Sequence, residues 1–237
     1  MTRVGLLGDG ADDAAESVRD AGGTPVFGGD AGDADVVAAF GEDAFLDAAG
    51  DVDTPVLPVG AGAAYGGVDS VDSEDALSAL ATGDFEVRSR RTLSVTAGET
   101  VRAFADATLV ASDPGDISEF AVRSDGREVD TVRADGVVAA TPTGSHGYAA
   151  DAGGPLLDPG IGAVSVVPVA PFRVERTNWV LGPPATLTVV RREAAVDLYV
   201  DGRRRGAVEP HEPVVLDWGA PLAVAAVPVS RRSPPTD

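Results

Sequence analysis

The sequence of 237 residues contains no cysteine and no lysine, and only 5% of its residues are aromatic. Without cysteine the chain has no disulfide, no thiolate zinc site, no iron–sulfur cluster and no cysteine nucleophile. No apolar run approaches the roughly 18 residues that a membrane span needs. The chain also lacks the basic start and apolar stretch of a secretory signal. These absences predict a cytoplasmic protein that does not enter a membrane.

The charge of the chain is strongly one-sided, with 38 Asp and Glu against 18 Arg and a formal net charge of −20. This charge argues against nucleic acid or an anionic membrane as a partner. The acidic residues are spread along the whole chain and every cation is Arg, which favours a protein adapted to very high salt. There the Debye length is about 3 Å or less, so self-repulsion is screened. The alternative is an acidic face that binds a basic partner.

The first 83 residues alternate short apolar runs with Ala-rich amphipathic stretches. The pattern predicts strands at 3–7, 24–27, 35–39 and 55–59, and helices at 12–21, 42–49 and 73–80. Ser73 is a candidate cap for the third helix. Gly8-Asp9-Gly10 lacks the third glycine of a dinucleotide fingerprint and indicates a turn. Strand–helix alternation predicts an α/β domain with a parallel sheet over residues 1–83.

After residue 83 the sequence changes to Val-, Thr- and Leu-rich runs separated by turn residues. The runs are 85–95, 101–111, 120–132 and 137–140, and the segments 186–190 and 196–200 are predicted strands. Asp125-Gly126 and Asp201-Gly202 lie between alternating runs and predict hairpin turns. We therefore expect a β-rich, mostly antiparallel domain over residues 84–225, followed by a tail over 226–237.

The strongest functional signal lies in residues 133–158. An apolar strand runs into a loop of Thr, Gly and Ser, and an Ala-rich turn of helix follows until Gly153-Gly154-Pro155 ends it. Backbone N–H groups, hydroxyls and a helix start suit a sugar, an amide or a phosphate group. An ordinary loop between two strands would explain any short piece of this segment, but it explains the whole run poorly.

This segment resembles the signature of the NAD kinase family, which reads Asp-Gly, a short strand, Thr-Pro-Thr-Gly-Ser, Tyr and Gly-Gly-Pro. The matching residues are Asp135-Gly136, Thr141-Pro142-Thr143-Gly144-Ser145, Tyr148 and Gly153-Gly154-Pro155. The resemblance covers most of residues 100–220 and extends weakly to the N-terminal part. It implies an α/β N-terminal domain, a β-rich C-terminal domain, NAD bound between them, and a homo-oligomer.

The resemblance also implies which residues contact the dinucleotide. Those that follow from the signature are Arg133, Asp135, His146, Gly147, Tyr148 and Asp151. A second family motif, Asn-Glu, falls at Asp106-Ala107, so Asp106 keeps an acceptor while the Glu is lost. Asp135 suits a carboxamide or ribose hydroxyl but is alternatively a turn residue. Tyr148 offers a ring face or packs in a core, and His146 is a candidate base or a surface hydrogen-bonding residue.

The catalytic motif of the family, Gly-Gly-Asp-Gly-Thr, corresponds to residues 40–44, which read Phe-Gly-Glu-Asp-Ala. In the family the Asp takes a proton from the adenosine 2′-hydroxyl, and here Glu42 stands in that place. Asp43 puts a carboxylate where a triphosphate would lie, at a cost of about 4 kcal/mol for one pair at 4 Å and a dielectric of 20. A bridging Mg²⁺ would reverse that sign. No His or Asp spacing compels a metal site made by the protein.

Three functions follow from these residues. The first is an NAD kinase that forms NADP from NAD with ATP or polyphosphate and Mg²⁺, using Glu42 as the base and Asp43 near the phosphates. The second is a catalytically impaired relative that binds NAD or NADP as a sensor or partner subunit, because the binding segment is better kept than the catalytic motif. The third is phosphoryl transfer or hydrolysis on another substrate. In all three the partner is a small molecule.

Overall fold

The computed structural model describes residues 1–51, 53–113, 115–172, 177–191 and 194–231. The chain forms two compact units, one of residues 1–90 with the segment from Pro221 and one of residues 91–220. The domain boundaries expected after residues 83 and 225 stay predictions, because a compact unit is not by itself an independently folding domain. The last six residues of the expected tail lie outside the described residues. None of the described helices reaches the length and hydropathy of a membrane-crossing helix.

The described chain contains eighteen strands and four helices besides short 3₁₀ turns. The strands are β1 (Arg3–Gly8), β2 (Thr24–Phe27), β3 (Val36–Phe40), β4 (Val56–Val59), β5 (Glu86–Arg90), β6 (Leu93–Ala97), β7 (Glu99–Ala103), β8 (Asp106–Ala111), β9 (Ser118–Ser124), β10 (Arg127–Ala134), β11 (Gly136–Ala140), β12 (Val164–Val169), β13 (Trp179–Leu181), β14 (Ala185–Arg191), β15 (Val196–Val200), β16 (Arg203–Ala207), β17 (Pro213–Trp218) and β18 (Leu222–Ala226). The helices are α1 (Ala11–Asp20), α2 (Glu42–Asp51), α3 (Ser73–Thr82) and α4 (Tyr148–Asp151).

The first unit is a six-stranded sheet in the order β2-β1-β3-β4-β18-β5. All neighbouring strands are parallel except β5, which runs antiparallel to β18. Val18, Leu77 and Leu80 of α1 and α3 pack with Leu6 and Leu57 of the sheet in one buried cluster. The predicted α/β domain with a parallel sheet is confirmed, because α1, α2 and α3 follow β1, β3 and β4 along the chain, and α1 and α3 pack on the sheet.

Glycine begins two of these helices. Gly10, with φ +106°, precedes α1, and Gly41, with φ +87°, accepts the first hydrogen bond of α2 from the Phe45 N–H. The prediction that Ser73 caps α3 is wrong. Asp72 occupies the cap position and makes no side-chain capping bond, while Ser73 is already the first helical residue. A 3₁₀ turn over Ser70–Asp72 leads directly into α3, so the chain is already wound before Ser73.

The second unit consists of two antiparallel six-stranded sheets, β10-β9-β14-β17-β6-β7 and β13-β12-β11-β8-β15-β16. Their facing residues share one core, in which Phe120, Leu187 and Leu216 of the first sheet join Leu109 and Leu198 of the second. The predicted β-rich antiparallel architecture is therefore confirmed. Alternation of buried and half-buried residues along β14 shows why its sequence reads as a strand with one apolar face.

The two predicted hairpin turns are present. Asp125-Gly126 and Asp201-Gly202 all have positive φ, from 49° to 73°, as a two-residue hairpin of this kind requires. The runs 85–95, 101–111 and 120–132 form a β-rich region as expected, and each holds parts of two strands. These are β5 and β6, β7 and β8, and β9 and β10 respectively.

Strand β11 is buried along its whole length, and it leads into the segment that carries the functional signal. One face of β11 lies in the core that the two sheets share. On the other face, Val138 and Ala140 pack with Ala149 and Val167, so that α4 covers the sheet. The Thr-Gly-Ser loop is consequently fixed between a buried strand and a docked helical turn.

Candidate functional site

The first unit has a cleft of about 610 Å³ at the carboxyl ends of its parallel strands. Gly10, Gly41 and Gly60 line it, and they lie just beyond β1, β3 and β4 respectively. The first turns of α1, α2 and α3 complete the wall. Ligands of open α/β sheets bind at this edge, because the loops there converge and helix N-termini present free N–H groups.

Two glycines make the shape of this cleft possible. A Cβ on Gly8 would lie 2.3 Å from the Phe40 carbonyl oxygen, and its φ is +91°. Gly8 therefore lets β1 and β3 end side by side. Gly41 also has a positive φ, of +87°, but nothing lies within 4 Å of its Cβ position. Gly41 leaves open space above the start of α2, where a ligand has room to approach the backbone.

Carboxylates dominate the lining of the cleft. They are Asp9, Asp13, Glu42, Asp43 and Glu74. Among the described residues that line it, none is Arg or His. An anionic ligand therefore finds its favourable partners in backbone N–H groups and helix dipoles, while the side chains repel it unless cations accompany the ligand.

Glu42, the candidate base, is the first residue of α2 and is exposed. The Tyr65 hydroxyl donates a hydrogen bond to Glu42 Oε1 at 2.5 Å. The Tyr65 ring is held in turn by Phe45, with ring centroids 5.1 Å apart. Sequence reasoning missed Tyr65. Its only local signal was an aromatic residue within the glycine-rich turn that follows β4.

We expect Tyr65→Phe to lower the kcat of any activity that uses Glu42 as a base by about tenfold. The substitution removes one charge-assisted hydrogen bond, so the flexible Glu42 side chain is no longer held in one orientation. Steady-state kinetics would measure the change, with Tyr199→Phe on β15 as the matched control. A kcat within about twofold of the unsubstituted chain would contradict this role for Tyr65.

The Thr-Pro-Thr-Gly-Ser loop of the second unit uses its buried hydroxyls to hold its own shape. Thr141 Oγ1 donates to the Phe104 carbonyl at 2.7 Å and accepts from the Gly144 N–H at 3.1 Å. Ser145 Oγ donates to the Pro142 carbonyl at 2.7 Å and accepts from the Leu157 N–H at 2.9 Å. Thr141 and Ser145 are thus structural residues, and they fix the backbone of the loop before α4 begins.

Gly144 is required by a close approach of two backbones. A Cβ at this position would lie 2.0 Å from the Ala105 carbonyl oxygen. The Thr141 N–H also donates to that oxygen, at 2.8 Å. The loop and the turn before β8 are therefore pressed together, and the motif needs glycine here for packing.

The charges of two predicted binding residues, Asp106 and Asp135, act on a third, Tyr148. The pKa of Tyr148 is raised by burial first, and then by the negative charges of Asp106 and Asp135. Asp106 lies opposite Ala140 at the end of β11, and Asp135 directly precedes β11. The two carboxylates thus lie at opposite ends of β11, and the exposed ring of Tyr148 lies on α4, which covers that strand.

The other predicted binding residues surround this group at the surface. His146 is half-buried, and its Nε2 has no hydrogen-bond partner within the described chain. Gly147 and Asp151, at the start and end of α4, are exposed. The exposed Arg133 uses its carbonyl to accept the Phe172 N–H at 2.8 Å. The roles of these residues stay predictions.

Two further residues, Asn178 and Asp201, support the site of the second unit, although sequence reasoning did not assign them to a site. Asn178 Nδ2 donates to the Gly153 carbonyl at 2.7 Å, which ties the end of α4 to the segment before β13. Asp201, predicted only as a turn residue, accepts hydrogen bonds from the backbone before β8. Over the described part of the chain, His, Asp and Glu form no group of three or more that has metal-binding geometry.

A family model described as the ATP-NAD kinase C-terminal domain matches residues 105–221. Over these residues the chain matches the NAD kinase family. The NAD kinase of Methanosarcina mazei is 39% identical over 110 residues, which are 46% of this chain and 38% of that protein. The NAD kinase of Methanothermobacter thermautotrophicus is 28% identical over 193 residues, which are 77% of this chain and 68% of that protein. The matches span less than half the length of the Methanosarcina relatives.

Solved NAD kinase structures share the fold of this chain. The NAD kinase of Archaeoglobus fulgidus in complex with ATP has a TM-score of 0.77 at 22% identity and covers 94% of this chain and 92% of that one. The yeast NADH kinase complexed with NADH has a TM-score of 0.79 at 15% identity and covers 95% and 83%. The expected resemblance and the NAD kinase-like fold are thereby confirmed.

Proposed function

We propose that this protein phosphorylates NAD at the adenosine 2′-hydroxyl with ATP or polyphosphate and forms NADP. The observation that carries the proposal is the match of residues 105–221 to the ATP-NAD kinase C-terminal domain. The hydrogen-bonded Thr-Pro-Thr-Gly-Ser loop supports it, because Thr141, Gly144 and Ser145 each have a structural reason to be the residue that the family motif has.

Glu42 is the proposed base, which takes the proton from the attacking hydroxyl. Its carboxylate extends one methylene further than that of the family's Asp, and small misplacements of a catalytic group are costly. The hydrogen bond from Tyr65 restrains this longer side chain and leaves Oε2 to accept the proton. The base therefore keeps a defined direction at the edge of the cleft.

The second unit supplies the proposed contacts to the pyridine nucleotide. Asp106 and Asp135 are acceptors for ribose hydroxyls or the carboxamide, and Tyr148 offers a ring face to a base. His146, Gly147, Asp151 and Arg133 are the proposed outer contacts. The two carboxylates beside Tyr148 also favour a ligand that carries a positive ring over its neutral, reduced form.

The phosphate donor is proposed to lie in the cleft of the first unit, where Gly41 leaves the start of α2 open. Asp43 and its neighbouring carboxylates repel phosphate, so the donor must carry its own cations. The described residues include no group of three or more His, Asp or Glu side chains that could hold a metal ion. Mg²⁺ enters as a companion of the donor.

The direct test is NADP formation from NAD, Mg²⁺ and either ATP or polyphosphate in molar KCl. A glucose-6-phosphate dehydrogenase coupled assay detects NADP and separates the two donors. Turnover with either donor supports the proposal. Absence of turnover together with tight binding of NAD by calorimetry would contradict it in favour of the binding-only sensor.

We also propose that the protein works in strong salt, and we expect its Tm to rise by on the order of 10 °C, or about 3 kcal/mol, between 0.1 M and 2 M KCl. The chain has a net charge of −20 and contains no Lys. Raising the salt shortens the Debye length from about 10 Å to 3 Å or less and removes the self-repulsion. Differential scanning fluorimetry measures the shift.

Sucrose at matched osmolality is the control for this experiment, because it stabilises compact states without screening charge. An equal rise in Tm in sucrose, or a flat Tm in KCl, would contradict the proposal. The cytoplasmic location and the homo-oligomeric state expected from the sequence stay predictions.

A further inference from the structure

Asp201 makes far more hydrogen bonds than its hairpin turn requires. Its Oδ2 accepts the Phe104 N–H at 2.8 Å, and its Oδ1 accepts the N–H groups of Ala105 and Asp106 at 2.7 and 3.1 Å. The Asp201 N–H donates to the Asp106 carbonyl at 3.0 Å. Asp125 begins the other Asp-Gly hairpin with nearly the same φ but is exposed. The turn alone therefore does not explain Asp201.

The segment 104–106, which Asp201 binds, is also bound by the Thr-Gly-Ser loop. Thr141 donates its hydroxyl to the Phe104 carbonyl and its N–H to the Ala105 carbonyl. Gly144 lies directly against that Ala105 carbonyl. The N–H groups of segment 104–106 thus donate to Asp201, and two carbonyls of the segment accept hydrogen bonds from Thr141. The location of the segment is decided by both partners together.

The charge of Asp201 suits this arrangement. Burial raises the pKa of Asp201, and the three N–H groups and the charge of Arg205 oppose the rise. A carboxylate has acceptor sites on both oxygens, so it can serve three N–H groups at once. An amide keeps one oxygen and places its NH₂ against at least one N–H, which leaves a donor facing a donor.

We propose that Asp201 is a positioning residue for the pyridine-nucleotide site, which it shapes by holding the backbone of segment 104–106 against the Thr-Gly-Ser loop. This inference rests on the proposed function. Asp106 is the last residue of that segment and the first of β8, and its charge acts on Tyr148. Asp201 itself binds backbone only. Its effect on the ligand passes through the location of Asp106 and of the loop.

The test compares Asp201→Asn with Asp197→Asn in the full chain. Asp197 is a matched control, since it lies on β15, is buried, and is bound by Arg204 and Ser112 away from segment 104–106. Isothermal titration with NAD and steady-state kinetics are measured on both. We expect Asp201→Asn to raise the Kd and KM for NAD by about tenfold or more and to leave the KM for the phosphate donor unchanged. Asp197→Asn should keep NAD affinity within about twofold, even if both variants lose stability.

Amide exchange by NMR gives a readout that does not depend on the ligand. In Asp201→Asn the amides of Phe104, Ala105 and Asp106 should exchange about tenfold faster, and the ring resonances of Tyr148 should shift. Asp197→Asn should change neither. Unchanged NAD affinity, or unchanged Tyr148 resonances despite faster exchange, would overturn the inference. If the unsubstituted chain binds no NAD, the proposed function fails, and exchange and the Tyr148 resonances still decide the role of Asp201.

Discussion

Glu42→Gln is expected to lower the kcat for NADP formation by about 100- to 10,000-fold, the range that a general base contributes. Gln has the shape of Glu, and its Oε1 can still accept the Tyr65 hydroxyl that binds Glu42 in the structure. The fold of the first unit should therefore survive. What is lost is the capacity of the side chain to take a proton from the 2′-hydroxyl. The coupled assay in molar KCl measures kcat, and calorimetry should show an unchanged affinity for NAD.

Glu16→Gln is the matched control for this variant. Glu16 is exposed on α1 and lies outside the lining of the cleft, so the same chemical change there should leave kcat within about twofold. A Glu42→Gln protein that turned over like the unsubstituted chain would remove Glu42 from the mechanism. The altered catalytic motif would then have lost its base, and another proton acceptor would have to be found.

Gly144→Ala is expected to destabilise the protein by about 1–3 kcal/mol, the usual cost of an added methyl group in a packed site. At this chain length that is a fall in Tm of about 2–12 °C. The new Cβ would lie 2.0 Å from the Ala105 carbonyl oxygen, which is backbone and cannot rotate away. The turn before β8 must shift, and Asp106 with it. We therefore also expect the affinity for NAD to fall by at least about tenfold.

Gly182→Ala provides the control within the same unit, because nothing lies within 4 Å of its Cβ position and the residue is exposed. Thermal melts and NAD titrations of both variants, in the same salt, separate packing from a general effect of the methyl group. If Gly144→Ala melts and binds NAD like Gly182→Ala, the Thr-Gly-Ser loop does not need glycine for its contact with Ala105.

Local patterns in the sequence were sufficient for much of the fold. The strand predicted over 196–200 has the bounds that β15 has in the structure. Both Asp-Gly hairpins were predicted, because a two-residue turn needs positive φ and few residues adopt it. These features depend on neighbours only a few positions apart. Where two strands follow each other closely, as at 101–111, the same apolar pattern hid the turn between β7 and β8.

Sheet membership was beyond the reach of such patterns. β18 lies near the end of the chain, directly after the strands of the second unit, and its apolar sequence Leu-Ala-Val-Ala-Ala resembles theirs. In the structure it pairs with β4 and β5 and completes the sheet of the first unit. Its partner β4 is separated from it by the whole second unit. Nothing in five apolar residues specifies which distant edge they will join.

The candidate site shows the same division. The Thr-Pro-Thr-Gly-Ser motif predicted a loop after a buried strand, and Glu42 was predicted at a helix start after Gly41. The sequence did not predict that Tyr65 binds Glu42, or that Asp201 holds segment 104–106. A tyrosine in a turn and an Asp-Gly hairpin are ordinary features. They acquire a role only when residues from elsewhere in the chain are placed against them.

By itself, the sequence determined the charge and chemistry of this protein, the class of each half and the loop on which the NAD kinase assignment depends. Composition, turn residues and apolar periodicity act over a few residues and can be read in order along the chain. Only the tertiary structure decided that the hydroxyls of Thr141 and Ser145 hold the loop in shape. It also decided that Gly144 is needed for contact with Ala105, and that Asp201 binds segment 104–106. These roles depend on hydrogen bonds and close contacts between distant segments, and such contacts exist only after the chain has folded.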